Sequence, residues 1–288
     1  MSSGLIAVTG ATGALGGRVA RRLADAGARQ RLVVRDPARA PELPGAEPVV
    51  ASYGDGEALR TALDGAGTLL LVSAKEDADR VALHTATVDA AVAAGVSWIV
   101  YISFLGAAPD ATFTFGRDHW HTEQHIRGTG VDFTFLRDSL YLDFIPTFVG
   151  ADGVIRGPAG DGQVAAVARD DIADAASAVL LGDDHRGQTY ELTGPEVFTL
   201  TEAAEELTHA AGRPVRYHAE TLDEAYASRA AYGAPDWEVA GWVTTYAAIA
   251  AGELDVVTDA VSTLAGHPPI GLAEYLAANP ESVDHLRT

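Results

Sequence analysis

Residues 5–17, LIAVTGATGALGG, decide the fold of this 288-residue chain. The apolar run at residues 5–8 is typical of a buried strand, and it leads directly into three glycines spaced G-x-x-G-x-x-G. Beyond the glycines, apolar side chains recur at every fourth position, at Leu15, Val19 and Leu23, and this is the spacing of one helical face. A strand, a glycine-rich turn and a helix in this order predict a site for the pyrophosphate of a dinucleotide.

The predicted dinucleotide-binding residues of this turn are Gly10, Thr12, Gly13, Ala14, Leu15 and Gly16. Gly10 lets the strand turn sharply, Gly13 leaves room for phosphates to approach backbone N–H groups, and Gly16 lets the helix pack closely on the strand. The alternative is a glycine-rich loop without a ligand. It is disfavoured because a strand and a helix flank the glycines in the order that the motif requires.

Composition restricts the class of protein. Forty acidic residues against twenty Lys and Arg give a net charge of −20, which argues against a nucleic-acid partner because such binding needs cations to neutralise phosphates. The apolar runs stop well short of the roughly 18 residues of a membrane span, so no membrane association is expected. The chain has no cysteine, which excludes thiol catalysis and thiolate metal sites. The first strand begins within a few residues of the N-terminus, which predicts a cytoplasmic protein without a secretory signal.

Strands and helices alternate along the first half of the chain. After the first strand, further strands are predicted at residues 31–34, 48–51, 68–73, 98–102 and 132–136, and helices at 57–63, 81–92 and 117–127. Six strands with intervening helices predict an α/β fold, a Rossmann-type doubly wound parallel sheet over residues 1–138.

After residue 138 the alternation loosens. Strands are predicted at residues 164–168, 188–192 and 214–218, and helices at 171–181 and 199–211, the latter opened by the capping box Thr199-x-x-Glu202. Residues 221–288 are expected to be mostly helical. We therefore expect residues 139–288 to return partly to the sheet and to form a smaller, mostly helical substrate lobe.

The residue at the end of the second strand selects the nucleotide. In dinucleotide-binding folds an acidic residue about 20 positions beyond the glycines binds the ribose 2′-hydroxyl of NAD. Here Arg35 follows the strand, and a guanidinium pairs with the 2′-phosphate of NADP because its donor fork matches phosphate oxygens. Asp36 would select NAD after a shift of one residue, but Asp followed by Pro37 is also a favoured helix-capping pair. We therefore expect NADPH as the preferred cofactor, with NADH as the alternative.

Five motifs of the chain resemble one family. They are TGATGALG at residues 9–16, VRDPARA at 34–40, YGD at 53–55, LLVS at 70–73 and LRDSLY at 136–141. Together they resemble the NmrA-like branch of the atypical short-chain dehydrogenase/reductases, and within it the type 2 NAD(P)H:quinone oxidoreductases and triphenylmethane-dye reductases. The resemblance implies that Arg35 reads the adenosine phosphate and that Tyr53, Ser73 and Ser103 lie along the cofactor.

The resemblance also implies a place for the chemistry. Ordinary short-chain dehydrogenases carry Tyr and Lys four residues apart on the helix after the fifth strand, and no Y-x-x-x-K occurs in this sequence. In the corresponding place stand His119 and Glu123, also four apart and so on one helical face. The resemblance implies that His119 lies beside the nicotinamide, where it would orient substrate or relay a proton near neutral pH. A solvated helix face is the alternative for this pair. Tyr141 either faces the substrate or is an ordinary packed aromatic residue.

The missing Tyr–Lys pair restricts the substrate. Hydride transfer to a ketone makes a strongly basic alkoxide, which needs a well-placed acid. A quinone instead gives a stabilised phenolate, and a cationic dye is neutralised by hydride outright. The predicted function is therefore that of an NAD(P)H-dependent oxidoreductase acting on a quinone or similar conjugated acceptor. The alternative is a non-catalytic NADP(H)-binding redox sensor acting through a protein partner, since one fold can serve both functions.

Other side chains carry weaker predictions. His121 and His125 are four residues apart, but the sequence offers no third ligand, so no metal site is expected. Arg137 is expected to satisfy buried acidic or backbone groups rather than to bind substrate. Four aromatic residues of the C-terminal part form either a wall of the substrate site or, as we prefer, the core of that lobe: Tyr232, Trp237, Trp242 and Tyr246. The sequence is compatible with a monomer or a homodimer.

Overall fold

Seven strands form one parallel sheet in the computed structural model, which describes residues 4–287. The described residues contain eleven strands in all: β1 (Leu5–Thr9), β2 (Gln30–Val34), β3 (Ala46–Val50), β4 (Ala66–Leu71), β5 (Trp98–Phe104), β6 (Asp132–Asp138), β7 (Val154–Gly157), β8 (Gln163–Val164), β9 (Gln188–Leu192), β10 (Phe198–Thr199) and β11 (Arg216–Ala219). The order across the seven-stranded sheet is β3-β2-β1-β4-β5-β6-β9. The strand order therefore reverses between β1 and β4, and ligands of such sheets bind outside the carboxyl ends of the strands at this point.

Ten α-helices are described in residues 4–287. They are α1 (Ala14–Asp25), α2 (Gly56–Leu63), α3 (Arg80–Ala93), α4 (Thr114–Thr129), α5 (Arg169–Leu181), α6 (Leu200–Ala211), α7 (Leu222–Arg229), α8 (Asp236–Ala250), α9 (Ala260–Ala265) and α10 (Leu272–Ala278). Short 3₁₀ helices cover Pro37–Arg39, Leu142–Phe148, Ala230–Tyr232 and Pro280–Leu286. Within this described part of the chain, no helix has the length and apolar character needed to cross a membrane.

Alternate residues of the central strands face two opposite helix layers. Ile6 and Val8 of β1 pack with α1, α5 and α9, whereas Ala7 packs with α2, α3 and α4. Because both faces are covered, the strands are apolar at nearly every position, as the run at residues 69–72 shows.

The chain beyond β6 builds a second core and also returns to the sheet. β9 pairs in parallel with β6 and becomes the seventh strand. β7 pairs with β11 and β8 with β10 in two small separate sheets. A hydrophobic cluster joins the Leu142–Phe148 helix to α6, α8 and α10. This packing covers the carboxyl end of β6, where the chain leaves the sheet.

The predicted α/β fold is confirmed, and the six predicted sheet strands are joined by β9. The strand predicted at residues 164–168 is wrong for most of its length, because only Gln163–Val164 forms a strand. Residues 165–168 are buried, and their apolar character reflects this burial, since among them Val167 alone pairs, in an isolated bridge to Tyr141. The strand predicted at 214–218 lies at Arg216–Ala219 and pairs with β7. The division of the chain at residue 138 into two parts stays a prediction. Residues 1–3 and 288, which belong to the predicted parts, lie outside the described residues.

Candidate active site

The glycine turn links β1 to α1 at the point where the strand order reverses. Gly10 has a φ of +64°, which favours glycine, and the Gly13 N–H donates to the Gly10 carbonyl at 2.8 Å. A side chain at Gly16 would overlap the Gly10 backbone. Helix α1 begins at Ala14 with Gly13 as an N-cap that has no side-chain hydrogen bond. Gly13 and Ala14 are exposed, so the start of α1 is accessible to an anion, which fits a dinucleotide pyrophosphate.

Arg35 and Asp36 have different surroundings at the end of β2. Asp36 Oδ1 accepts the Ala38 N–H at 3.0 Å and caps the Pro37–Arg39 helix. The capping interpretation of Asp36 is therefore confirmed. Arg35 is exposed and directly follows the carboxyl end of β2. Its place in the chain therefore suits a 2′-phosphate, and its contact with the cofactor stays a prediction.

Tyr53 connects the ends of β1 and β4. Its hydroxyl lies 2.8 Å from Thr9 Oγ1 and also contacts the Val72 carbonyl. Thr9 Oγ1 in turn accepts the Val72 N–H at 2.9 Å. Burial raises the pKa of Tyr53 to about 12. Its hydroxyl therefore holds the two strands together beside the glycine turn. Ser73, the residue after Val72, is half-buried. Contacts of Tyr53 and Ser73 with the cofactor stay predictions.

His119 is buried on α4 and is only 5% exposed. Arg80 Nη2 donates to His119 Nε2 at 3.2 Å. Because arginine has only donors, His119 is the neutral tautomer with its hydrogen on Nδ1, which lies 2.9 Å from Tyr101 Oη. Burial and the Arg80 charge lower the pKa of His119 well below its usual value. The solvated-face interpretation is therefore wrong, and these contacts do not suit a proton relay that titrates near neutral pH.

Arg80 and His84 extend this buried network to the loop after β4. Arg80 is 4% exposed, and its Nε donates to the Ala74 carbonyl at 3.0 Å. His84 Nε2 accepts the Ala74 N–H at 2.8 Å, and His84 Nδ1 lies 2.9 Å from Thr122 Oγ1. Burial, assisted by Arg80, lowers the pKa of His84 to about 3. The network therefore fixes the loop that leaves β4 against α3 and α4.

Glu123 forms a buried ion pair. Arg137 donates to it twice, from Nη2 to Oε2 at 2.6 Å and from Nε to Oε1 at 2.8 Å. The Ser103 hydroxyl donates to the same Oε1 at 2.6 Å. The prediction that Arg137 satisfies a buried acid is confirmed. Through these bonds to Arg137 and Ser103, the Glu123 carboxylate holds β5, β6 and α4 together. A catalytic role for Glu123 and a cofactor contact by Ser103 stay predictions.

Tyr141 lies just beyond the carboxyl end of β6. Its hydroxyl oxygen lies 3.0 Å from Asp138 Oδ2, within hydrogen-bond distance. Its ring stacks on Phe144 with centroids 5.6 Å apart, and the Arg169 guanidinium lies 4.8 Å from its ring centroid. The ring is half-buried. These contacts hold Tyr141 firmly at the edge of the site, and its contact with substrate stays a prediction.

Sequence reasoning missed Arg80, His84, Tyr101 and Asp138 as members of this site. Two of them carried a signal. Arg80 is a cation in the first turn of a helix, where the dipole disfavours it, and His84 lies four positions before Val88 on the buried face of α3. Such polar residues on an otherwise buried face point to a specific partner.

The structure also places the weaker candidates. His125 Nε2 lies 2.8 Å from Asp89, and no group of three metal-ligating side chains occurs within residues 4–287. Tyr246 is buried in the C-terminal core, whereas Tyr232 is 75% exposed. Together with Trp242 they line a cavity of about 650 Å³ beside the Leu142–Phe148 helix. The preference for a lobe core is therefore right for Tyr246 and wrong for Tyr232.

Comparisons with known proteins agree with this geometry. Residues 10–183 match the family described as NAD(P)H-binding. The chain is 36% identical to quinone oxidoreductase 2 of Escherichia coli (strain K12), over 98% of each chain. It is 33% identical to the NAD(P)H azoreductase of Xenophilus azovorans, over 96% of this chain and 98% of that protein.

A solved structure extends the comparison to the fold. The Citrobacter sp. triphenylmethane reductase complexed with NADP(H) superposes with a TM-score of 0.84 at 31% identity, covering 95% of this chain and 99% of that one. The sequence motifs, the parallel sheet with its open glycine turn and these similarities lead to one conclusion: the chain is an oxidoreductase of the NAD(P)H-binding family.

Proposed function

We propose that this protein is an NADPH-dependent reductase that transfers hydride to a quinone or a similar conjugated small molecule. The observation that carries the proposal is the uncapped N-terminus of α1, which opens beside the buried cluster at the carboxyl ends of β4, β5 and β6. A dinucleotide held there by its pyrophosphate extends across the strand ends towards this cluster.

The residues for the cofactor are those of the glycine turn, with Arg35 for the 2′-phosphate. NADPH, when bound, supplies the hydride. Arg35 offers two donors in one plane to the phosphate, and its neighbour Asp36 is occupied as a helix cap. This division of roles supports NADPH over NADH.

The acceptor must suit a site in which neither His119 nor Glu123 is available as the acid. His119 is neutral with both ring nitrogens engaged, and Glu123 is ion-paired. Neither group is free to protonate a strongly basic alkoxide. The similar proteins named for quinone, azo-dye and triphenylmethane reduction all act on conjugated acceptors by their names. This chemistry supports a conjugated acceptor for the present chain too.

The redox-sensor alternative is not favoured, because the similar full-length relatives carry names of reductases. The test is NADPH oxidation, followed by absorbance, with a panel of quinones and cationic dyes. We expect many NADPH molecules consumed per protein molecule with at least one acceptor and none without it. Tight NADPH binding with no consumption across the whole panel would favour the sensor instead.

A further inference from the structure

Two fully buried carboxyl groups in the site have opposite surroundings. Glu123 and Asp138 are both 0% exposed. Glu123 is held by the Arg137 fork. Asp138 makes one side-chain contact, the 3.0 Å hydrogen bond between its Oδ2 and Tyr141 Oη. Its other oxygen, Oδ1, is buried and has no hydrogen-bond partner among residues 4–287.

This difference decides which carboxyl group carries a proton. A buried carboxylate without a cation is strongly disfavoured, and such a group stays neutral instead. Burial accordingly raises the pKa of Asp138 well above its usual value. When two carboxyl groups of one site have environments that separate their pKa values, the protonated one can act as the acid while the other stays ionised. Glu123 is the paired anion, and Asp138 is the stored acid.

The Asp138–Tyr141 pair lies at the carboxyl edge of the sheet, the edge at which ligands of such folds bind. Asp138 ends β6 and is in register with Phe104, which ends β5. Burial, assisted by Asp138, raises the pKa of Tyr141 well above its usual value, so the phenol keeps its proton until an acceptor takes it. The Tyr141 hydroxyl lies just beyond the end of β6, against Asp138. Phe144 and Arg169 hold its ring in place.

We propose that Tyr141 donates the proton that the reduced acceptor requires, and that Asp138 acts through Tyr141 by replacing that proton. This inference rests on the proposed reductase function and adds the source of the proton. The Tyr–Lys pair of ordinary short-chain dehydrogenases is thereby replaced by a phenol and a buried carboxylic acid on a different element.

The acceptor gains one hydride and one proton. Hydride adds to the acceptor, the nicotinamide is oxidised, and an acceptor oxygen or nitrogen becomes anionic. The O–H bond of Tyr141 breaks as the acceptor O–H or N–H bond forms, and the proton on Asp138 Oδ2 moves to Tyr141 Oη. Asp138 is left as a carboxylate that accepts the Tyr141 O–H across the same 3.0 Å contact. Water returns the proton through Tyr141 after the product leaves.

Three acceptors differ in how much they need this proton. A cationic triphenylmethane dye is neutralised by hydride alone, a quinone gives a weakly basic phenolate, and an azo compound gives a strongly basic nitrogen anion. Because general acid catalysis contributes typically 10²–10⁴-fold when the product is basic, the relay predicts a graded dependence. We divide kcat with each acceptor by kcat with the cationic dye. Asp138→Asn should lower this ratio by about a hundredfold for the azo compound and by about tenfold for the quinone.

The matched control is Asp171→Asn. Asp171 is also 0% exposed with an unpartnered Oδ1, but it lies on α5 and accepts the Ile270 N–H. It should leave both ratios within about twofold of the unmodified protein. Equal losses on all acceptors in Asp138→Asn would indicate a structural role and overturn the relay, as would an unchanged azo-to-dye ratio.

A second readout does not depend on turnover. The infrared spectrum of the unmodified protein at pH 7 should contain the C=O stretch of a protonated carboxyl group. This band should be absent from the spectrum of Asp138→Asn and shifted in the spectrum of Tyr141→Phe. Absence of such a band in the unmodified protein overturns the relay even if all three acceptors are reduced. Failure to reduce any acceptor, with the band present, contradicts the proposed function instead.

Discussion

Arg80 and His119 are joined by a buried hydrogen bond of 3.2 Å that leaves the imidazole without a free nitrogen. Arg80 occupies the Nε2 lone pair, and the Nδ1 hydrogen points to Tyr101. The residue that stands in place of the usual catalytic Tyr is therefore a neutral, fixed part of the wall of the site. A single arginine at the start of α3 determines this outcome.

His119→Ala should lower kcat by about tenfold or less, because a group that only shapes the site contributes less than a general acid, typically 10²–10⁴-fold. The pH profile of kcat should keep its shape near neutrality, since the lowered pKa of His119 keeps the imidazole uncharged there. Steady-state kinetics across pH 5–9 check this. A hundredfold loss together with a missing limb near pH 7 would restore His119 as the proton donor.

The buried histidines should make the folded protein sensitive to acid. His84 has a pKa of about 3 in the fold, whereas an unfolded histidine titrates near 6.5, so the unfolded state binds the extra proton between these values. Stability due to His84 is thus present above about pH 6.5 and is lost as pH falls, by up to about 1.4 kcal/mol per pH unit. His84→Gln should flatten the pH dependence of the unfolding free energy between pH 4 and 6. The control is His121→Gln, which changes an exposed histidine. If both variants changed the slope of unfolding free energy against pH equally, the acid sensitivity would not be due to His84.

Gly13→Val should abolish NADPH binding with little loss of fold. The new side chain would start 3.1 Å from the Gly10 carbonyl oxygen, at the mouth of the turn, where phosphates approach the backbone. Calorimetric titration with NADPH measures the effect. Gly128→Val, on an open face of α4, is the matched control and should bind normally. Comparable NADPH affinity in Gly13→Val would mean that the glycines serve only the fold.

Arg35→Ala should erase a preference for NADPH over NADH while sparing NADH binding. A charge-assisted fork to the 2′-phosphate contributes on the order of 1.5–3 kcal/mol, roughly tenfold to hundredfold in Kd. Arg29→Ala removes an exposed cation at the opposite end of β2 and should leave the ratio of the two Kd values unchanged. Equal affinity of the unmodified protein for both nucleotides would contradict the role of Arg35.

Arg137→Met should destabilise the protein by about 3 kcal/mol, because it leaves the Glu123 carboxylate buried without its cation. Adding Glu123→Gln to that variant should recover part of the loss, since the unpaired charge is then removed. Urea unfolding of the single and double variants forms the cycle. Strictly additive losses would show that the pair is not coupled.

The sequence by itself determined the sheet and the cofactor turn, because both depend on local patterns. Apolar runs mark the buried strands, every-fourth spacing marks α1, and three glycines with a following Arg35 mark the turn. Errors arose where burial does not imply pairing, as at residues 165–168, whose apolar side chains pack without forming a strand.

Only the tertiary structure decided the chemistry of the side chains. Arg80 and His119 are 39 positions apart, and Glu123 and Arg137 are 14 apart, so no local pattern shows that they meet. The same holds for the difference between Glu123 and Asp138, since the sequence shows two acids and the fold supplies a cation to only one. Protonation depends on burial and on partners brought together by the sheet, and these are properties of the folded chain.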